Sequence, residues 1–74
     1  MKALVLCGGI SQIALIKELK DRGIITVLAD MNENVGGRKY ADIFYPVSVL
    51  DVDAVCDVAV KENVDFIHTL CYIL

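Results

Sequence analysis

Short apolar segments that alternate with amphipathic ones are the feature that most constrains how this chain of 74 residues folds. The apolar segments span residues 2–7, 24–29, 43–47 and 65–70. They are short and largely continuous, which is typical of strands buried on both faces of a parallel sheet. Helical patterns cover residues 11–22 and 51–62 between them. This order predicts an α/β fold of three layers, with a parallel sheet of four strands in the order 3-2-1-4.

The predicted helix boundaries rest on capping residues. Ser11 is the expected N-cap of the first helix, because its hydroxyl can accept a hydrogen bond from a first-turn amide. Gly23 is expected just past its end. Residues 31–39 are polar, contain Gly36 and Gly37, and predict a loop.

The second helix is predicted to begin after Ser48 or Asp51 and to end near Asn63. Its buried face is predicted from apolar residues at positions i, i+3, i+4 and i+7. These residues are Val52, Val55, Cys56 and Ala59.

The charge composition excludes some partners. Seven Lys and Arg stand against ten Asp and Glu, a net charge of −3, and no basic stripe is present that would attract nucleic acid. No apolar stretch reaches the roughly 18–20 residues of a membrane span. Three cysteines without metal-ligand spacing and a single histidine predict reduced core thiols, no metal site and a cytoplasmic location.

The hydrophobic content, 57%, is high for so short a chain. A small domain has much surface for its volume and covers apolar residues poorly. We therefore expect residues 1–74 to be the amino-terminal fragment of a longer protein. We also expect a homodimer, formed through the apolar segment 70–74 or through the first helix.

The predicted ligand site lies where the first two strands end, because open α/β sheets bind ligands at the carboxyl ends of their strands. Glycines in the first strand-to-helix turn allow a ligand to approach the helix amides, which favour anions. A purely structural role for the two glycines stays open. The predicted substrate-binding residues are Gly8, Gly9, Ile10, Ser11, Gln12, Asp30 and Asn32; no catalytic or metal-binding residue is predicted.

A dinucleotide fingerprint is incomplete in this turn. The pattern Gly-x-Gly-x-x-Gly/Ala, started at Gly8, meets isoleucines; started at Gly9, it meets Ser11 and Ala14. Asp30 stands where an acidic residue would hold a ribose hydroxyl. The pattern leaves NAD or FAD binding as one alternative.

Three segments carry a resemblance to a known family. They are Cys7-Gly8-Gly9, then Val27-Leu28-Ala29-Asp30, then Lys39-Tyr40-Ala41-Asp42 before the third strand. In order and spacing the chain resembles the Rossmann-like amino-terminal (pre-ATP-grasp) domain of ATP-grasp enzymes. It is most similar to short proteins like the large subunit of carbamoyl-phosphate synthase.

This resemblance implies an ATP-dependent ligase that works through an acyl phosphate. Gly8, Gly9 and Gln12 would line its acceptor-substrate side, and Asp30 with Asn32 would close the crevice. ATP and Mg²⁺ would bind only in the full-length parent, so the fragment would be inactive and bind neither. Its partners would be a small-molecule acceptor substrate and the missing ATP-grasp domain. The alternative is a non-catalytic Rossmann-like module for nucleotide binding or regulation.

Overall fold

A computed structural model describes residues 1–69 of the chain. Four strands are present in this part: β1 (Lys2–Leu6), β2 (Ile25–Ala29), β3 (Ile43–Tyr45) and β4 (Phe66–Thr69). Two α-helices, α1 (Ile10–Asp21) and α2 (Val52–Lys61), and a 3₁₀ helix (Gly36–Tyr40) connect them.

The four strands form one parallel sheet in the order β3-β2-β1-β4, as predicted. In the register of the sheet, Leu4 lies beside Val27 of β2 and Ile67 of β4. The central strands β1 and β2 are built mainly from Leu, Val, Ala and Ile, which suits strands covered on both faces.

The two helices cover opposite faces of this sheet. Successive strand residues point to opposite faces, so neighbours in one strand belong to different cores. One core joins sheet residues to α1 and consists of Ala3, Val5, Ile16, Leu19 and Leu28. The other joins the sheet to α2 and consists of Leu4, Val27, Ala29, Val55 and Val58. The predicted α/β fold is therefore confirmed, with the sheet as the middle of three layers.

Helix α1 begins earlier than its predicted cap. Gly9 is the N-cap, and its carbonyl accepts a hydrogen bond from Gln12 N at 2.9 Å. Ser11 lies inside the helix and is exposed, so its prediction as N-cap was wrong. The reason is that the chain already turns at Gly9. Gly23 ends the helix with φ +74°, a conformation that glycine adopts without strain, as predicted.

Helix α2 is capped by Asp51, whose carboxylate accepts a hydrogen bond from Ala54 N at 3.1 Å. Its predicted buried face was partly wrong. Val55 is buried, but Val52 is 69% exposed and Cys56 is exposed, while Val58 takes the place facing the sheet. Apolar residues lie on several sides of α2, so periodicity alone did not select the face that packs.

Two aspartates tie the starts of β3 and β4 to the neighbouring strands. Asp42 Oδ2 accepts a hydrogen bond from Thr26 N at 2.9 Å, and Asp42 N donates to Thr26 O at 3.1 Å. Asp65 Oδ2 accepts from Lys2 N at 2.8 Å, and Asp65 N donates to Lys2 O at 2.7 Å. Each aspartate thus closes a ring of two hydrogen bonds with one residue of the adjacent strand.

Within residues 1–69, neither helix has the length and apolarity needed to span a bilayer. Cys56 is a free, exposed thiol rather than a core residue. The prediction that Cys56 is a core residue was therefore wrong. The apolar segment 70–74, one of the two predicted dimer surfaces, lies outside the described residues.

Candidate functional site

The candidate site is the strand-end crevice, which we define as residues 7–12 after β1 and residues 30–32 after β2. The turn after β1 is tight, because Cys7 adopts φ +72°, a left-handed conformation that is unusual for a residue other than glycine. The amide of Cys7 still donates to Ala29 O at 2.8 Å. The chain therefore leaves the sheet directly after this bond and enters α1 through Gly8 and Gly9.

The side chain of Gln12 stabilises the turn through hydrogen bonds to its main chain. Its side chain is 1% exposed, and Nε2 donates to the main-chain oxygens of both Leu6 and Cys7 at 2.6 Å. Both carbonyls lie at the carboxyl end of β1. The Gln12 Nε2 thus points toward the end of β1.

Asp30 lies against the glycine turn. Its Oδ2 accepts a hydrogen bond from Gly8 N at 2.9 Å, and its Oδ1 accepts from Asn32 N at 2.8 Å. Asn32 Oδ1 in turn accepts from Asn34 N at 3.0 Å. Each carboxylate oxygen has a second lone-pair direction, so the half-buried Asp30 keeps acceptor capacity for a ligand hydroxyl.

The predicted site residues do not all play comparable parts. Hydrogen bonds join Gly8, Asp30 and Asn32. The N-cap Gly9 has open space where a side chain would be, since an added Cβ would meet no atom within 4 Å. Ile10, 88% exposed, and Ser11 lie on the outer surface of the first turn of α1.

The structure also selects a different frame for the dinucleotide fingerprint. In a complete fingerprint, the first small residue allows the tight turn, the second allows the pyrophosphate to approach, and the third allows the helix to pack on the strand. Cys7 occupies the tight turn, Gly9 the helix N-cap and Gln12 the buried packing position. Ala14, the last residue of the frame that starts at Gly9, is exposed and so does not fill this packing position.

The 3₁₀ helix also contributes to this site, which the sequence did not predict. Gly37 N donates to Gly8 O at 2.8 Å, and a Cβ on Gly37 would lie 2.7 Å from that oxygen. Only glycine allows so close an approach to the β1–α1 turn. The glycine pair at residues 36–37 in a polar loop was the available signal, but it did not reveal its partner.

A polar cluster that the sequence did not predict lies between β1, β3 and the end of α2. Glu62 accepts a short hydrogen bond from the Tyr45 hydroxyl and pairs with Lys2 Nζ at 3.2 Å. The hydrogen bond from Tyr45, followed by the bond and charge of Lys2, lowers the pKa of Glu62, although burial opposes the shift. The same hydrogen bond, with burial and the charge of Glu62, raises the pKa of Tyr45. This cluster links the amino end of β1 to α2.

No group of three or more His, Cys, Asp or Glu side chains within residues 1–69 could hold a metal ion. In the described part of the crevice, main-chain amides lie beside the carboxylate of Asp30.

The chain is similar to part of a known protein. No protein-family model matches the chain. One component of the ferredoxin:CoB-CoM heterodisulfide reductase of Methanosarcina acetivorans is 37% identical over 64 residues. The matched part is 84% of this chain but 8% of that component, so the chain spans a small part of the length of this relative.

This finding corrects the functional predictions. The relative is named as part of a reductase, whereas the resemblance had implied an ATP-grasp ligase like carbamoyl-phosphate synthase. The predictions of ATP-grasp membership and ligase activity were therefore wrong. The alternative, a non-catalytic module for nucleotide binding or regulation, is no better supported, because a reductase component belongs to an enzyme.

Proposed function

We propose that this chain is the dinucleotide-binding β1–α1–β2 segment of a redox enzyme. The observation that carries the proposal is the contact between Gly8 N and Asp30 Oδ2. It places an acidic group from the end of β2 beside the glycine turn at the start of α1. In parallel α/β folds, this pairing of a glycine turn with an acid at the end of the next strand binds the pyrophosphate and the ribose of a dinucleotide.

The described residues fit such a ligand in two places. The open space at Gly9 leaves room for a phosphate at the amino terminus of α1, where the first-turn amides and the helix dipole favour negative charge. The remaining lone pairs of Asp30 can accept from ribose hydroxyls. A bound dinucleotide would supply hydride or electron transfer, while these residues bind and orient it.

Two residues depart from the usual glycines. Cys7 adopts the left-handed turn at a cost that glycine would avoid. Gln12 fills the packing position and holds the turn through its two hydrogen bonds. Neither side chain occupies the open space next to Gly9, so both departures leave the phosphate position accessible.

The redox class comes from the reductase relative. Since the chain spans 8% of that protein, we transfer only the broad class and not its substrate or its assembly. The cytoplasmic location and a small-molecule substrate remain predictions.

The proposal is tested by titrating the chain with FAD, NAD⁺, NADP⁺ and ATP, and following backbone amide signals by NMR. We expect FAD or NAD⁺ to shift the signals of Gly8, Gly9 and Asp30. Asp30→Asn should weaken binding about tenfold or more, because a hydrogen bond to a charged group contributes roughly 1.5–3 kcal/mol.

Asp65→Asn is the matched control. Asp65 also accepts a main-chain N–H, but it does so at the opposite end of the sheet, beside Lys2. Equal losses of binding affinity in the two variants would contradict the proposal. The proposal would also be contradicted if neither FAD nor NAD⁺ shifted the amide signals of Gly8 and Gly9.

A further inference from the structure

A second surface carries cations that contact aromatic rings instead of carboxylates. Among the described residues, Lys20 pairs with Asp42 at 3.8 Å and Arg22 with Glu18 at 2.9 Å. Three cations of the same side of the sheet make no ion pair within residues 1–69, and each lies over an aromatic ring. They are Lys17, Arg38 and Lys39.

The three cations surround two rings. Lys17 Nζ and Lys39 Nζ lie 4.6 and 5.3 Å from the centre of the Tyr40 ring. The Arg38 guanidinium lies 4.5 Å from the centre of the Phe44 ring. We call these five residues the basic aromatic patch.

Packing of the 3₁₀ helix on α1 brings the patch together. A Cβ on Gly37 would lie 2.9 Å from Ile16 Cδ1, so the main chain of the 3₁₀ helix rests directly on α1. Lys17 follows Ile16, and Arg38 follows Gly37. Arg38 is further held by a hydrogen bond from Nη1 to Glu33 O at 2.7 Å. The fold thus places the residues that carry these charges on two segments in direct contact.

The rest of the chain has the opposite charge. Residues 51–69 contain Asp51, Asp53, Asp57, Glu62 and Asp65 but a single cation, Lys61. The chain as a whole carries a net charge of −3. Apart from Lys61, the side-chain cations that make no ion pair among the described residues therefore lie on the α1 side of the sheet.

We propose that the basic aromatic patch is a docking surface for a protein partner with a carboxylate-rich surface. Tyr, Phe and Arg are enriched in protein interfaces, and complementary charges steer association and orient the partners. The cations are exposed and spread over an open surface, which suits a broad acidic partner better than one enclosed small anion. Nucleic acid is disfavoured because the acidic half of the molecule would repel its phosphates. This inference goes beyond the proposed function and does not depend on it.

The test uses a short oligoglutamate peptide as a probe, with amide shifts followed by NMR at low and high salt. We expect shifts centred on residues 17, 38–40 and 44, and we expect them to vanish at high salt. Lys17→Glu and Arg38→Glu should each weaken binding about threefold or more. Lys17→Gln is a milder variant that removes the charge without reversing it.

Lys61→Glu is the matched control. Lys61 also lies over a ring, 5.8 Å from the centre of Tyr45, and its reversal changes the net charge by the same amount as Lys17→Glu. The control should bind oligoglutamate like the unmodified chain. Equal weakening by Lys61→Glu would overturn the proposal, because net charge alone would then explain binding. Tighter binding of a short DNA duplex at the patch would overturn the choice of partner.

Discussion

Replacing Gly37 with Ala tests how tightly the 3₁₀ helix is held against the strand-end crevice. The new Cβ would lie 2.7 Å from Gly8 O, 2.9 Å from Ile16 Cδ1 and 3.2 Å from Gly8 Cα. Two of these atoms belong to the main chain of the β1–α1 turn, which cannot move without disturbing the sheet. The hydrogen bond from Gly37 N to Gly8 O, 2.8 Å long, would be strained or lost.

The expected cost follows from these contacts. Overpacking costs about 1–3 kcal/mol, and a lost hydrogen bond adds about 0.5–1.5 kcal/mol. Alanine also lowers the conformational entropy of the unfolded chain, which stabilises the folded state by about 0.4–1 kcal/mol. The net destabilisation is about 0.5–4 kcal/mol, against about 4–11 kcal/mol of total stability for a chain of this size.

Urea and thermal unfolding followed by circular dichroism measure this loss. A destabilisation of about 2 kcal/mol lowers Tm by roughly 8–16 °C in a domain of this size. Gly9→Ala is the control, because its Cβ meets no atom within 4 Å and its φ of −64° suits alanine. We expect it to change stability by less than about 1 kcal/mol. If the two variants unfold at the same urea concentration, the close approach of Gly37 to Gly8 is refuted.

Three further predictions concern other parts of the molecule. Because the pKa of Glu62 is lowered, its ionised form stabilises the fold above the ordinary carboxyl pKa of 4.5, and this stability is lost as the pH falls through the lowered pKa. Because the pKa of Tyr45 is raised, its neutral form stabilises the fold below the ordinary pKa of 10.0, and this stability is lost as the pH rises through the raised pKa. The destabilisation caused by Tyr45→Phe, measured by urea unfolding, should therefore be largest near neutral pH and shrink at both extremes. Asp51→Ala removes the cap on Ala54 N and should cost about 0.5–2 kcal/mol in the same measurement. Sedimentation over a concentration series should show the predicted homodimer.

Each of these predictions has a clear opposing result. A Tyr45→Phe effect that is constant across pH would contradict the coupling to Glu62. For the cap, Asp53→Ala is the control, since Asp53 lies in the first turn of α2 but is not the capping residue. Equal losses of unfolding free energy in the two variants would contradict the capping role of Asp51. A strictly monomeric species up to high concentration would contradict the homodimer.

The fold was largely predictable from the sequence because its signals are local. Short apolar strands, a glycine after α1 and an aspartate before α2 each act through neighbouring residues. The strand order also followed, because parallel strands joined by helices have few arrangements. The buried face of α2 was not predictable, since Val52 and Cys56 form an apolar side next to that of Val55 and Val58, and only the sheet selects between the two.

The candidate site was predictable only in outline. Gly8 and Asp30 were expected in one crevice because the ends of adjacent parallel strands meet there. The inward turn of Gln12 and the approach of Gly37 to Gly8 depend on how separate segments pack together. Neither contact has a local pattern, and the ATP-grasp resemblance did not supply one.

The rings that Asp42 and Asp65 close with neighbouring strands bear on how the chain tolerates insertions. Each aspartate stands one residue before its strand and binds both main-chain groups of a single residue alongside, Thr26 or Lys2. Where β3 and β4 begin is therefore set by a side chain instead of by the length of the preceding loop. Longer surface loops cost little entropy. The connections before these aspartates can thus lengthen or shorten among related chains while every residue of the sheet keeps its neighbour.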